Sequence, residues 1–165
     1  MAKAYRADAG DPAELTDVID LAIHELGAPE VLVYDPSLMQ ADRPAEVSAK
    51  DWDRTLAVNL IGATVATNVV LPQLQDGRGT LLFTGGAYAV SPSSSAITLS
   101  VGLAARRAFA LALFEDQRLA GVHAATVTIF GAIGTPGFEP DRIAQRYLDI
   151  HHEPQDQWSP ESLFQ

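Results

Sequence analysis

At 165 residues, 47% hydrophobic and 19% charged, the chain is long enough for one domain with a buried core. A net charge of −10 argues against nucleic acid and anionic membrane as partners, since both need a basic surface. With no Cys there is neither a disulfide framework nor a thiolate metal site. No apolar leader follows Met1, and no uninterrupted apolar run reaches the roughly 18 residues of a membrane span, so a cytoplasmic protein is expected.

The elements alternate along the chain. Residues 4–7 are read as a first strand. Asp11-Pro12 opens a helix that Gly27 closes, because Pro fits the first helical turn and Gly the end. Residues 30–34 form the next strand. Ser48 caps a long helix over residues 49–74, and strands follow at 80–84 and 124–130, on either side of a helix at 96–119. The strand segments VLVY, TLLFT and ATVTIF are continuously apolar rather than alternating, which requires burial on both faces, as in a parallel sheet. A last helix covers about 140–150. Residues 1–151 are read as one domain and 152–165 as a tail in coil.

Two helices are unusual. Residues 56–74 carry no charge, and between Ile97 and Phe114 the only charges are Arg106 and Arg107. A surface helix needs a polar face. Helices apolar on most sides must be covered twice, by their own sheet and by a partner, so a homo-oligomer through helices 49–74 and 96–119 is expected.

Four segments in order carry a family resemblance. DWDRTLAVNLIGATVATNVVLPQL, from Asp51 to Leu74, contains Asn59. GRGTLLFTGGAYA resembles a strand that ends in a catalytic Ser, here Gly86. LSVGLAARRAF stands at a Tyr-x-x-x-Lys motif, with Leu99 and Leu103 at the two positions. Phe130-Gly131-Ala132-Ile133-Gly134-Thr135 matches Pro-Gly-x-Ile-x-Thr in all but the Pro. The chain resembles the short-chain dehydrogenase/reductases over about three-quarters of its length.

The resemblance implies an α/β fold with a Rossmann-like three-layer parallel sheet, truncated so that the N-terminal βαβα half is missing. The family's sheet order, 3-2-1-4-5-6-7, would start here at strand 3. One sheet face would then be largely bare except for the final helix, and the edge of strand 30–34 would be open. Residues 3–8 are expected to slide into that slot, together with pairing of two chains over the bare face. A full-length relative supplying the missing half is the other resolution.

The resemblance also implies what has been lost. Family enzymes exchange a proton through a Tyr whose pKa a Lys lowers, while a Ser orients the carbonyl. Leu99 and Leu103 can do neither, and Gly86 has no side chain. Asn59 alone keeps its residue type, as a relay group or as a structural hydrogen bond. Tyr88 and Ser100 are the replacement candidates for catalysis, or else a packing ring and a helix-start cap. The glycine-rich nucleotide loop is absent. Asp8, Gly131, Ile133 and Thr135 match cofactor-binding positions as relics, and Asp35 puts a carboxylate where a cofactor phosphate would lie. No cofactor is expected, and NAD(P) only if a missing N-terminal half is supplied. His24, His123, His151 and His152 show no metal-ligand spacing. The expected role is a degenerate, non-redox binding or scaffold protein. The alternatives are an NAD(P)-dependent oxidoreductase completed by the missing half, or a cofactor-free lyase or isomerase using the old pocket.

Overall fold

The computed structural model describes residues 2–74 and 79–165, so Gly77 and Arg78 of the matched strand segment lie outside it. Four strands, β1 (Val31–Tyr34), β2 (Gly79–Gly86), β3 (Val122–Ile129) and β4 (Glu161–Phe164), form one sheet in the order β1-β2-β3-β4, with every pair parallel. All eight residues of β3 are buried, as a central parallel strand requires.

Local chemistry sets the helix ends. Asp11 caps α1 (Pro12–Leu26), its Oδ1 accepting from the amides of Ala13 and Glu14 at 3.0 and 3.1 Å. Gly27 ends it at φ 91°, a left-handed value that a side chain disfavours. Ser48 caps α2 (Ala49–Leu56), which runs through a π turn (Ala57–Ile61) into α3 (Gly62–Val70). α4 spans Ile97–Gln117 and α5 spans Pro140–His152.

The helices divide between the two faces. Leu15 and Ile19 of α1, Ala63 and Ala66 of α3, and Ala110 and Phe114 of α4 pack with Leu81, Phe83 and Ala124 on one face. Ile143 and Ile150 of α5 pack with Leu82, Ala125 and Val127 on the other. The crossovers through α4 and α5 advance the sheet in the same direction on opposite faces, so they are of opposite hand.

Three expectations are corrected. The second face is not bare: α5 leaves Leu82 at 1% and Val127 at 0% exposure, and the uncovered apolar surface shrinks to β1, where Val33 is 47% exposed. Residues 4–7 form no strand and do not enter the slot beside β1. Their side chains find partners on α1 instead, with Lys3 Nζ and Tyr5 Oη donating to Glu25 at 2.8 and 2.5 Å. The tail is not all coil, because residues 161–164 add β4 to the sheet. Glu161 is held there by both nitrogens of an Arg107 fork and by the Thr128 hydroxyl. The two helical stretches Ala49–Gln73 and Ile97–Ala120 are long and apolar enough to cross a bilayer by composition, more than the uninterrupted runs suggested, and both lie against the sheet.

His123 gives the fold a pH dependence. It is buried at the start of β3, stacked on Trp158 at 4.8 Å with its Nε2 2.9 Å from the Ser159 carbonyl. Burial pushes its pKa below the ordinary 6.5. The unfolded chain therefore takes up the proton first. The stabilisation is complete above about pH 6.5 and is lost as the pH falls below it. The melting temperature is expected to drop between pH 7.5 and 5.5, and His123→Phe to remove most of that drop. A loss confined to the region below pH 4.5, where Glu161 titrates, would contradict this.

Candidate functional site

The matched positions meet at the C-terminal ends of the strands, where open α/β sheets bind ligands. β2 ends at Gly86, and α4 presents Leu99 and Leu103 one turn apart on the same side. Both leucines are 7% exposed and cluster with Ala96 and Ala89. A Cβ on Gly86 would lie 3.5 Å from Leu103 Cδ1, in ordinary contact, so aliphatic carbon faces the strand end at this point. The centre formed by these three positions holds no acid, base or cation.

The polar groups around it are committed elsewhere. Asn59 sits in the π turn, fully buried. Its Oδ1 accepts from the Leu38 amide at 2.6 Å, and its Nδ2 donates to the Leu38 carbonyl at 3.1 Å. Both ends of the amide thus fasten the loop after β1. Gly102 lets α4 approach here, since a Cβ would lie 2.5 Å from Asn59 Cβ. Ser100, also buried, donates to the Ala96 carbonyl at 2.8 Å and accepts from the Ser93 amide at 3.0 Å. Thr98 donates its hydroxyl to Asp42 at 2.5 Å and its amide to the same carboxylate at 3.2 Å. Burial opposes the Asp42 charge, but hydrogen bonds from Thr98, Gln40 and the Ile97 backbone together outweigh it and hold that carboxyl below its ordinary pKa. Tyr88 stands apart in the turn Ala87–Ala89, 41% exposed at the rim.

Of the cofactor-matching residues, Gly131, Ile133 and Thr135 share the loop after β3, and Asp8 precedes α1. Asp8 accepts from its neighbour Gly10 at 2.8 Å. The Thr135 hydroxyl donates to the Ala132 carbonyl at 2.7 Å within its own turn. The Phe138 ring lies over Gly131, where a Cβ would overlap it. Ile133 is 60% exposed.

One buried residue that ties the strand ends together escaped the sequence reading in all but its oddity. Arg106, one turn beyond Leu103, is 1% exposed. It reaches across the strand ends, donating to the carbonyls of Pro36 (2.7 Å) and Thr84 (2.6 Å) and to Ser37 Oγ (3.0 Å). Its Cζ stands 5.5 Å from the centre of the Tyr34 ring. Burial pushes the Arg106 pKa down, with the Tyr34 and Asp35 fields working the other way. Burial also pushes Tyr34 and Tyr147 up to about 12. The signal was present as a charge inside an otherwise apolar helix, but a sequence does not say where such a charge is spent.

A family model described as short chain dehydrogenase matches residues 1–144. The 3-alpha-(or 20-beta)-hydroxysteroid dehydrogenase of Mycobacterium bovis is 24% identical over 165 residues, covering 99% of this chain and 56% of that protein. D-threitol dehydrogenase of Mycolicibacterium smegmatis is 27% identical over 99 residues, covering 60% of this chain and 35% of that one. Among solved structures, a short-chain dehydrogenase/reductase (glucose/ribitol dehydrogenase) from Brucella melitensis has a TM-score of 0.84 at 22% identity, over 96% of this chain and 71% of that one. A blue fluorescent protein from a metagenomic library, in complex with NADPH, has a TM-score of 0.72 at 28% identity, over 78% and 52%. The chain spans about half the length, or less, of the curated relatives it matches.

Proposed function

Because this chain belongs to the short-chain dehydrogenase family, we propose that it is a member without the usual redox activity, a pseudoenzyme acting as an oligomeric binding or scaffold protein. The observation that carries this reading is the aliphatic packing of Leu99 and Leu103 beside Gly86, at the positions where the family resemblance places the proton-transfer groups. Proton transfer needs a titrating group within hydrogen-bond reach of the substrate. Asn59 and Ser100 have their side-chain atoms bonded to backbone, which leaves neither free for such a role. A cytoplasmic location is part of the proposal.

The residues present do not fit a nicotinamide dinucleotide. The Thr135 hydroxyl is turned into its own loop, Phe138 covers Gly131, and the exposed Asp35 carboxylate follows β1 where an anion would approach. A second reading, an NAD(P)-linked enzyme completed by a further half, is favoured by the similar blue fluorescent protein, which was solved with NADPH.

The partner in this proposal is a second copy. Val101, Ala108 and Ala112 lie exposed along one stripe of α4, and Ile61 of the adjoining π turn is 43% exposed. Light scattering is expected to give a dimer or larger, and Val101→Arg to give monomers with an unchanged circular dichroism spectrum. A native chain that is already monomeric at micromolar concentration would remove the assembly from the proposal.

A further inference from the structure

At the end of the sheet opposite Leu99 and Leu103, a cavity of about 380 Å³ opens where β2 begins and α5 ends. Its size is within the range of small-molecule sites. Glu30, Thr80, His151, Glu153 and Trp158 are among its walls. The walls are anchored: Thr80 Oγ1 lies 2.8 Å from His151 Nδ1, and the Trp158 indole N–H donates to the Glu153 carbonyl at 2.9 Å. His123 covers one face of the Trp158 ring, so this aromatic wall cannot swing freely.

Three independent features favour positive charge in this space. Two acidic residues, Glu30 and Glu153, are among its walls, and Glu153 is only loosely balanced by Arg146, whose guanidinium nitrogen is 3.7 Å from its carboxylate. The C-terminal turn of α5 ends at the cavity, with His151, His152 and Glu153 among its walls, bringing the negative end of the helix dipole. An indole borders it, and aromatic rings attract cations. A bare metal ion fits less well, because no three His, Asp or Glu side chains come together as ligands among the described residues. Carboxylates and carbonyls are acceptors, and a primary ammonium brings three donors.

We propose that this cavity binds a small primary alkylammonium compound, with its charge toward Glu30 and Glu153 and its alkyl part along Trp158. The site is independent of the crevice at the opposite end of the strands and of whatever binds there.

The test is a titration of the full chain with n-butylammonium at pH 8, followed by amide and indole nitrogen–proton NMR. Saturable shifts are expected at the Trp158 indole and at the Thr80 and Gln155 amides. Sodium butyrate at the same concentrations should leave them in place. Glu30→Gln changes an exposed side chain and should keep the fold, with affinity about fivefold weaker, the scale of one exposed ion pair. Shifts that do not saturate, equal shifts with butyrate, or an unchanged affinity in Glu30→Gln would each overturn the proposal.

Discussion

Replacing Arg106 with Met is expected to lower the stability of the chain by about 3 kcal/mol, the scale seen when one side of a buried charged network is removed. The guanidinium makes three hydrogen bonds, two of them to the backbone carbonyls of Pro36 and Thr84. Met fills much of the volume but leaves those carbonyls without a donor. The loss is local as well as global, because the bonds join the segment after β1 to the end of β2. Urea unfolding should show a lower midpoint with an unchanged slope. Hydrogen exchange should show residues 35–38 opening ahead of the rest. Arg106→Lys should recover only part of the loss, since one ammonium cannot reproduce the planar fork. A change below about 0.5 kcal/mol, the range of ordinary surface substitutions, would mean the buried cation is not holding the strand ends together.

Gly102→Ala should cost about 2 to 3 kcal/mol, although Ala is the better helix former. The added carbon would stand 2.5 Å from Asn59 Cβ, and 3.0 Å from its Nδ2. Either α4 retreats from the π turn or Asn59 moves and surrenders its paired bonds to Leu38. Thermal unfolding should show a clear drop in midpoint. The double change Gly102→Ala with Asn59→Gly should be less damaging than the sum of the two singles, because removing the Asn59 Cβ removes the atom that the new methyl group meets. Simple additivity would place the cost elsewhere.

Much of this architecture is legible where the cause is local. Asp11, Gly27 and Ser48 mark their helix ends because capping needs only a few neighbouring residues. The runs TLLFT and ATVTIF are strands buried on both faces, and their composition says so, whereas VLVY forms a strand whose Val33 stays exposed, because among the described residues nothing covers that face of the edge. Features whose cause is distant are not legible in the same way. The segment Glu161–Phe164 is short and half polar. It becomes β4 through pairing with β3 and the grip of Arg107, 54 residues earlier. Residues 4–7 have strand-like composition, yet they leave the open edge of β1 unpaired, and Lys3 and Tyr5 bond to the distant Glu25 carboxylate instead.

The site divides in the same way. The substitutions Gly86, Leu99 and Leu103 are visible by residue type alone. That Asn59 spends both amide atoms on Leu38, and that Arg106 crosses to Pro36 and Thr84, depends on contacts from 21 to 70 residues apart. Such contacts leave no periodic trace in a chain. Tyr147 is a further case, its hydroxyl 2.6 Å from Thr84 Oγ1 across the sheet end.

Nicotinamide binding is the property that Leu99 and Leu103, in the proposed reading, remove from the strand-end crevice. The most direct measurement is a titration of the purified chain with NADH and NADPH, followed by nicotinamide fluorescence, with molecular mass taken by light scattering on the same sample. The expected result is a defined oligomer whose addition leaves the fluorescence of both nucleotides unchanged. Saturable enhancement at micromolar concentration would contradict it, and would make the aliphatic centre part of a working cofactor site.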